Sequence, residues 1–394
     1  MPGLSPESLP AIQQALAAAG LDGWLLFEFR GLNPVALQII GIDAFLSRRI
    51  FVFIPRKGMP VAITHHIEQT VWRDWPDAWT RERYSALTTL EGLLQKTVGG
   101  KRVAMEYSPG NDVPFLDRVP AGMLEMVRAA GATVVSSADL VSRFNAAWSP
   151  AQLASHVRAA EHLQRLAREA LTWAGSEVRR GSTVHEHDVQ ARLLAGFAAA
   201  GLETYSPPNV SVGANAADPH YEPTAERPQR ITAGNVVLMD LWAREPGGVY
   251  ADQTWMAVLG APSSRAVEIW TTIRDARDAA IAHIRARLAA GATVSGGAAD
   301  DAARGVITAR GYGEYFTHRT GHSIDGREVH GSGPNLDNME TRDVRALIDG
   351  VGFSIEPGIY VRGEIGMRTE VNGYIGGRDL LITPSEPQRD LMVV

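Results

Sequence analysis

The strongest constraint on how this chain can fold is a set of five residues that lie far apart but make chemical sense only together. They are Asp240 in Val-Val-Leu-Met-Asp-Leu-Trp, Asp252 in Tyr-Ala-Asp-Gln-Thr, His322 in Thr-Gly-His-Ser, Glu356 in Ser-Ile-Glu-Pro-Gly and Glu370 in Arg-Thr-Glu-Val. Four carboxylates in one small site would repel as bare anions and raise one another's pKa. Divalent cations remove that conflict. Four carboxylates and one imidazole can hold two metal ions about 3.5–4 Å apart, with bridging carboxylates and a bridging water.

A length of 394 residues exceeds one ordinary core and predicts two domains. Apolar residues at 45% and charged residues at 21% are ordinary for a globular protein. The formal net charge of −6 argues against a nucleic-acid surface. Cysteine is absent, which excludes disulfides, thiolate metal ligands and a cysteine nucleophile. Met-Pro-Gly-Leu-Ser-Pro-Glu-Ser has neither a basic n-region nor an apolar h-region, and no apolar run is long enough to span a membrane. The expectation is a cytoplasmic protein that binds no membrane.

The N-terminal part alternates helical and strand signals. Ser5-Pro6 opens a helix that Gly20 closes. Short apolar runs at 24–27, 50–54, 61–64 and 103–105 read as buried strands, and Arg56-Lys57-Gly58-Met59 as a hairpin-like turn. Ser149-Pro150-Ala151-Gln152 is a helix start with a capping box, so a domain boundary is expected just before it. This gives domains 1–147 and 148–394. Further helices are expected over about 184–200 and 264–290, and strands at 236–239, 255–258, 352–355 and 371–372.

The ordered set Asp, Asp, Gly-His, Glu-Pro-Gly and Arg-x-Glu resembles the Xaa-Pro peptidase branch (prolidase and aminopeptidase P) of the pita-bread metallopeptidases. The resemblance implies an α/β (α+β) chain: a creatinase/prolidase-like N-terminal domain followed by a pita-bread catalytic domain of two pseudo-symmetric halves. It implies a metallopeptidase that hydrolyses the bond preceding proline with a metal-bridging hydroxide, acting as a dipeptidase. Aminopeptidase P, acting on longer peptides, is the alternative. Creatinase-like hydrolysis and a metal-free binding module are disfavoured by the intact ligand set. The implied cofactors are two divalent ions (Mn, Co or Zn), the substrates proline-containing di- or short peptides, and the assembly a homodimer.

Carried over residue by residue, the resemblance makes Asp240, Asp252, His322, Glu356 and Glu370 the metal ligands. Glu356 is also the catalytic proton shuttle. Arg368, two residues before Glu370, would hold a metal carboxylate bidentately. His220 and His330 would be catalytic and substrate-binding donors to the scissile carbonyl, and His318 a supporting hydrogen-bond partner. Gly321 would leave room beside the metal. The chain departs from the family in several places. Asp240 to Asp252 and His322 to His330 are each one residue longer than usual, His330 is followed by Gly331, and Pro334 replaces the arginine that holds a proline carboxylate. Arg327, Arg342, Arg345 and Arg362 are the candidate replacements.

Other features read as structural. His185 and His187, two apart on an expected helix, would face different ways. His65-His66 carries no pattern. Val212-Gly213-Ala214-Asn215 is a strand-end turn, and the arginine-rich stretch 274–287 a solvated helix face.

Overall fold

A computed structural model describes residues 3–394, in two compact units that meet in sequence between Asn145 and Ala146. The first unit is an α/β layer. Its strands are β1 (Gly23–Glu28), β2 (Ile50–Pro55), β3 (Val61–His65), β4 (Thr80–Tyr84), β5 (Arg102–Met105) and β6 (Thr133–Ser136). They form one mixed sheet in the order β4-β3-β2-β1-β5-β6. The period of two along β1 and β2 sends side chains to opposite faces. Trp24, Leu26, Val52 and Ile54 join one core with helices α1 (Leu9–Ala18), α2 (Pro34–Ile40) and α5 (Ala138–Val141). Leu25, Phe27, Phe51 and Phe53 join the other with α3 (Leu87–Val98) and α4 (Ala121–Ala129).

Two details depart from the sequence expectation. The first helix starts at Leu9 rather than at Ser5-Pro6, because Ser5 and Ser8 engage each other: Ser5 N donates to Ser8 Oγ at 2.9 Å and Ser8 N to Ser5 Oγ at 3.2 Å. The strands β4 and β6 carry little apolar signal because they are the sheet edges, half covered.

The second unit opens with α6 (Pro150–Arg179), capped as expected: Ser149 Oγ accepts from Gln152 N at 3.3 Å and Gln152 Oε1 from Ser149 N at 2.8 Å. Then come β7 (Val184–His185), α7 (Glu186–Ala199), β8 (Asn209–Val212), β9 (Arg230–Ile231), β10 (Val236–Ala243) and β11 (Ala251–Val258). A second helix pair follows, α8 (Ser264–Ala289) and α9 (Gly296–Ala309), leading to β12 (Ser323–Ile324), β13 (Gly352–Ile355), β14 (Gly358–Val361), β15 (Ile365–Arg368), β16 (Val371–Gly376), β17 (Asp379–Thr383) and β18 (Met392–Val393). One four-stranded sheet runs β18-β11-β10-β8 and another β12-β13-β16-β17. Helices α6 and α7 share a core with the first sheet, and α8 and α9 share one with the second. The helix-pair-and-sheet arrangement therefore occurs twice, a repetition the amino-acid sequence does not display. Among the described residues no helix is long and apolar enough to cross a membrane.

One expected feature is corrected here. The stretch 274–287 is not uniformly solvated. Arg277 is 3% exposed and donates to Thr369 Oγ1 at 3.0 Å and to Gln388 O at 2.8 Å, tying α8 to the residue before Glu370.

Candidate metal centre

The hairpin β10–β11 supplies the first two carboxylates. Its antiparallel register sets Asp240 opposite Thr254 and Trp242 opposite Asp252. Residues two apart on a strand share a face, so Asp240, Asp252 and Thr254 all point the same way. Both strands are apolar and buried around these positions, which keeps the carboxylates in a dry setting.

The other three come from the second sheet. His322 immediately precedes β12, Glu356 follows β13, and Glu370 lies between β15 and β16. Backbone bonds lock the first two together: Ser354 N donates to His322 O at 2.8 Å and Glu356 N to Thr320 O at 2.7 Å. Buried Asp300 holds Thr320 in turn, accepting from its N at 3.0 Å and its Oγ1 at 2.6 Å. The reason for Gly321 differs from the expectation. A Cβ there would come within 2.0 Å of Ser354 O, so the glycine makes room for the neighbouring strand rather than for a metal.

The five side chains converge. His322 Nε2 lies 3.4 Å from Asp252 Oδ2 and 3.4 Å from Glu356 Oε1. Its Nδ1 faces Ser323 O at 3.0 Å. A carbonyl only accepts, so Nδ1 carries a proton and Nε2 is the ring atom turned to the carboxylates. One ligand atom each from Asp252, His322 and Glu370 falls within 4.8 Å of the others. Arg368 contacts Asp240 through Nη2 and sits 3.9 Å from both Glu356 and Glu370.

Electrostatics register how crowded this is. Burial, with Glu356 close by, pushes Asp252 up to about 8 against the pull of Arg368. Burial raises Asp240 to about 6, again with Arg368 opposing. Glu370 is also raised, by burial and then by Asp252 and Glu356. Glu356 goes the other way. Burial pushes it up, but His322 and Arg368 outweigh that and hold it at about 2. Burial lowers His322, with Glu356 opposing.

The donor set fits a pair of divalent cations. Asp252 Oδ1 and Glu370 Oε1 are buried and have no hydrogen-bond partner among the described residues. Buried carboxylate oxygens are costly to leave unmatched, and both belong to carboxylates that group with His322. Oxygen and neutral imidazole together suit Mn, Co or Zn.

A cavity of about 700 Å³ opens over the five, lined also by His220, His330, Arg319, Tyr205, Trp242 and Tyr221. The His330 ring sits edge-on to His322 with centroids 4.3 Å apart. His322 and then burial hold His330 at about 3, so it is neutral and keeps one N–H to donate. His318 lies in a loop: Nδ1 faces Arg319 O at 2.7 Å, so Nε2 accepts from Tyr360 Oη at 2.9 Å. His318 thus bonds to Tyr360 and not directly to any of the five converging residues.

Of the arginines proposed to replace the missing one, Arg327, Arg342 and Arg362 do not line the cavity. Arg345 is 4% exposed and bound to Asp343 at 2.6 Å and 2.8 Å, with further bonds to Ser332 O and Gly333 O. Arg319, which the sequence reading passed over, is the arginine other than Arg368 that lines it. Thr254, Ser354 and Asn372 were also passed over. Ser354 Oγ donates to Glu356 Oε1 at 3.1 Å, and Asn372 grips the backbone of Asp252 through its N at 3.0 Å and its O at 2.6 Å. Each stands two residues from one of the five converging residues, and strand alternation would have pointed to all three.

A profile of metallopeptidase family M24 matches residues 158–376. Xaa-Pro dipeptidase of Lactobacillus helveticus is 35% identical over 218 residues, which is 55% of this chain and 54% of that protein. The match thus spans about half the length of that relative. A probable dipeptidase PepE of Mycobacterium tuberculosis is 29% identical over 381 residues, covering 90% of this chain and 88% of the relative. The crystal structure of dipeptidase PepE from Mycobacterium ulcerans superposes with a TM-score of 0.73 at 22% identity, covering 98% of this chain and 97% of that one. At that identity the likeness establishes the fold alone, the pita-bread fold.

Proposed function

The chain belongs to metallopeptidase family M24 and is a peptidase, and from that premise we propose that it is a dinuclear Xaa-Pro dipeptidase, hydrolysing the bond before proline in dipeptides. The observation that carries this is the pair of orphaned buried oxygens, Asp252 Oδ1 and Glu370 Oε1, on carboxylates that group with His322. A metal-free binding module would have no use for them. The similarity to Lactobacillus Xaa-Pro dipeptidases supports the choice of substrate.

Asp240, Asp252, His322, Glu356 and Glu370 would hold two divalent ions of Mn, Co or Zn. Such ions, when bound, lower the pKa of water and polarise the scissile carbonyl. The protein's own groups do the rest. Arg368 neutralises part of the carboxylate charge and fixes Asp240. Glu356, held anionic, takes the proton from attacking water and delivers it to the proline nitrogen, which as a tertiary amide has no hydrogen of its own and leaves only once protonated. His330 and His220 line the cavity where the carbonyl oxygen gains charge and donate to it from their imidazole N–H groups. Arg319 supplies the cation for the proline carboxylate in place of the residue that Pro334 displaces. The proposed setting is the cytoplasm and the proposed assembly a homodimer.

The test is elemental analysis of purified protein loaded with Mn, Co or Zn, followed by a peptide panel. About two ions per chain are expected, with Xaa-Pro dipeptides cleaved in preference to Xaa-Pro tripeptides and to dipeptides lacking proline. Preference for the tripeptides would replace the reading with aminopeptidase P. A fully loaded protein that cleaves no Xaa-Pro bond would end it.

A further inference from the structure

A second cluster of metal-binding residues stands apart from this cavity, at the start of α7. Sequence periodicity places His185 and His187 on different faces of one helix. The structure does not. His185 is the last residue of β7, extended at φ −116° and ψ 164°, and the helix begins only at Glu186. The change of backbone direction turns the two rings together, stacked at 11° with centroids 5.3 Å apart. Asp188 completes the group: its Oδ2 lies 3.3 Å from His185 Nδ1 and its Oδ1 3.6 Å from His187 Nε2. One ligand atom from each of the three falls within 4.8 Å of the others.

We propose that His185, His187 and Asp188 form an auxiliary site for a divalent cation of the zinc, nickel or copper class. Ligand bonds of about 2.0–2.2 Å in a tetrahedral site put neighbouring ligand atoms roughly 3.4 Å apart, close to the separations already present. Two imidazoles and one carboxylate favour this class over calcium or magnesium, which take oxygen alone. All three residues are half-buried, so water can fill the remaining positions and the ion can enter. His187 Nδ1 is buried without a hydrogen-bond partner among the described residues, and Nε2, 3.6 Å from Asp188, is beyond ordinary hydrogen-bond reach. The positive end of α7 opposes a cation, and three ligands from four consecutive residues offset that by closing one small chelate at little cost in order.

Glu186, between the two histidines, points the other way. It is buried, accepting from Val212 N at 2.7 Å and from Tyr221 Oη at 2.6 Å. The cation would therefore pin the helical turn that also anchors Tyr221, next to His220, in the loop between β8 and β9. This does not depend on what the large cavity hydrolyses.

Copper(II) added to full-length protein whose metal centre is disabled by Asp252→Ala plus Glu370→Ala should bind as one further equivalent, with an electron paramagnetic resonance spectrum showing nitrogen coupling from imidazole. His185→Ala plus His187→Ala in that background should abolish both. As a check that does not rely on the disabled protein folding, zinc-loaded wild type should hold one equivalent more than the His185→Ala/His187→Ala variant. Equal zinc content in those two proteins, or a copper spectrum unchanged by loss of both histidines, overturns the proposal.

Discussion

Thr254 Oγ1 donates to Glu370 Oε2 at 2.8 Å while accepting from Arg368 Nε at 2.8 Å. A hydroxyl has one hydrogen, so these two bonds use its strong capacity, and the 3.5 Å approach to Asp240 adds little. The consequence reaches the candidate metal centre. With Oε2 committed to Thr254, Glu370 is fixed in rotation and its bare Oε1 is the atom left for a cation.

That relationship predicts the effect of an isosteric change. Thr254→Val keeps the shape of β11 and removes both bonds, so Glu370 loses its orientation and the Arg368 guanidinium a partner. Metal affinity, measured by chelator competition, should fall about 10- to 100-fold, while Thr254→Ser should keep most of it. Wild-type affinity in the valine variant would show that Glu370 is oriented by something else.

A second prediction concerns His330. It faces His322 edge-on, lines the cavity and is neutral, so it is placed as a donor rather than a ligand. His330→Ala should lower kcat by about 10²–10³ and leave the metal content at the wild-type value. Loss of a metal ion would move His330 into the ligand set, and unchanged turnover would remove it from the chemistry.

A third prediction is about acid stability and comes from a histidine outside the centre. His156 on α6 is fully enclosed. Its Nδ1 faces Tyr250 O at 2.7 Å, so that nitrogen donates, and Nε2 accepts from Thr383 Oγ1 at 2.8 Å. Burial, outweighing the carbonyl, lowers it from 6.5 to about 4. The unfolded chain therefore takes up its proton first as pH falls. The contribution to stability is complete above pH 6.5, declines below it and is exhausted near 4, about 2 kcal/mol being lost by pH 5. Urea unfolding at both pH values, with His156→Gln as reference, reads the difference. A slope that is the same in both proteins would mean that His156 protonates without cost in the fold.

How much of this was legible in the sequence depended on whether the signal was local. The five converging residues were readable because each sits in a short motif whose chemistry demands the others. The capping box at Ser149 was readable because it is complete within four residues. The edge strands β4 and β6 were not, since an edge needs little apolar burial and leaves no periodic trace. His185 and His187 were misplaced because the helix starts at Glu186 rather than near 184, a boundary that local pattern fixes poorly, and this leaves His185 in the strand. Arg277 was taken as solvated because an arginine on a helix looks the same whether or not a distant carbonyl such as Gln388 O waits for it. Arg319 was overlooked for the same reason. Nothing in Thr-His-Arg-Thr-Gly-His says that its side chain lines the cavity.

Arg319 gives the last prediction, and it separates dipeptidase from aminopeptidase. A dipeptide ending in proline carries its carboxylate into the cavity, and a carboxylate taken out of water needs a cationic partner. Arg345 is committed to Asp343, and Arg327 and Arg362 lie off the cavity wall. Arg319 lines the wall close enough to His322 and His330 for its charge to lower both. Arg319→Gln should therefore reduce kcat/KM for an Xaa-Pro dipeptide by about 10- to 100-fold, the worth of a charge-assisted hydrogen bond. The same substitution should barely alter cleavage of the dipeptide amide, which has no charge to lose. In the wild type the amide should already be the poorer substrate. If the amide and an Xaa-Pro-Xaa tripeptide are cut as fast as the dipeptide, and Arg319→Gln slows all three alike, then Arg319 does not read the carboxylate and the protein trims longer peptides from their N-terminus.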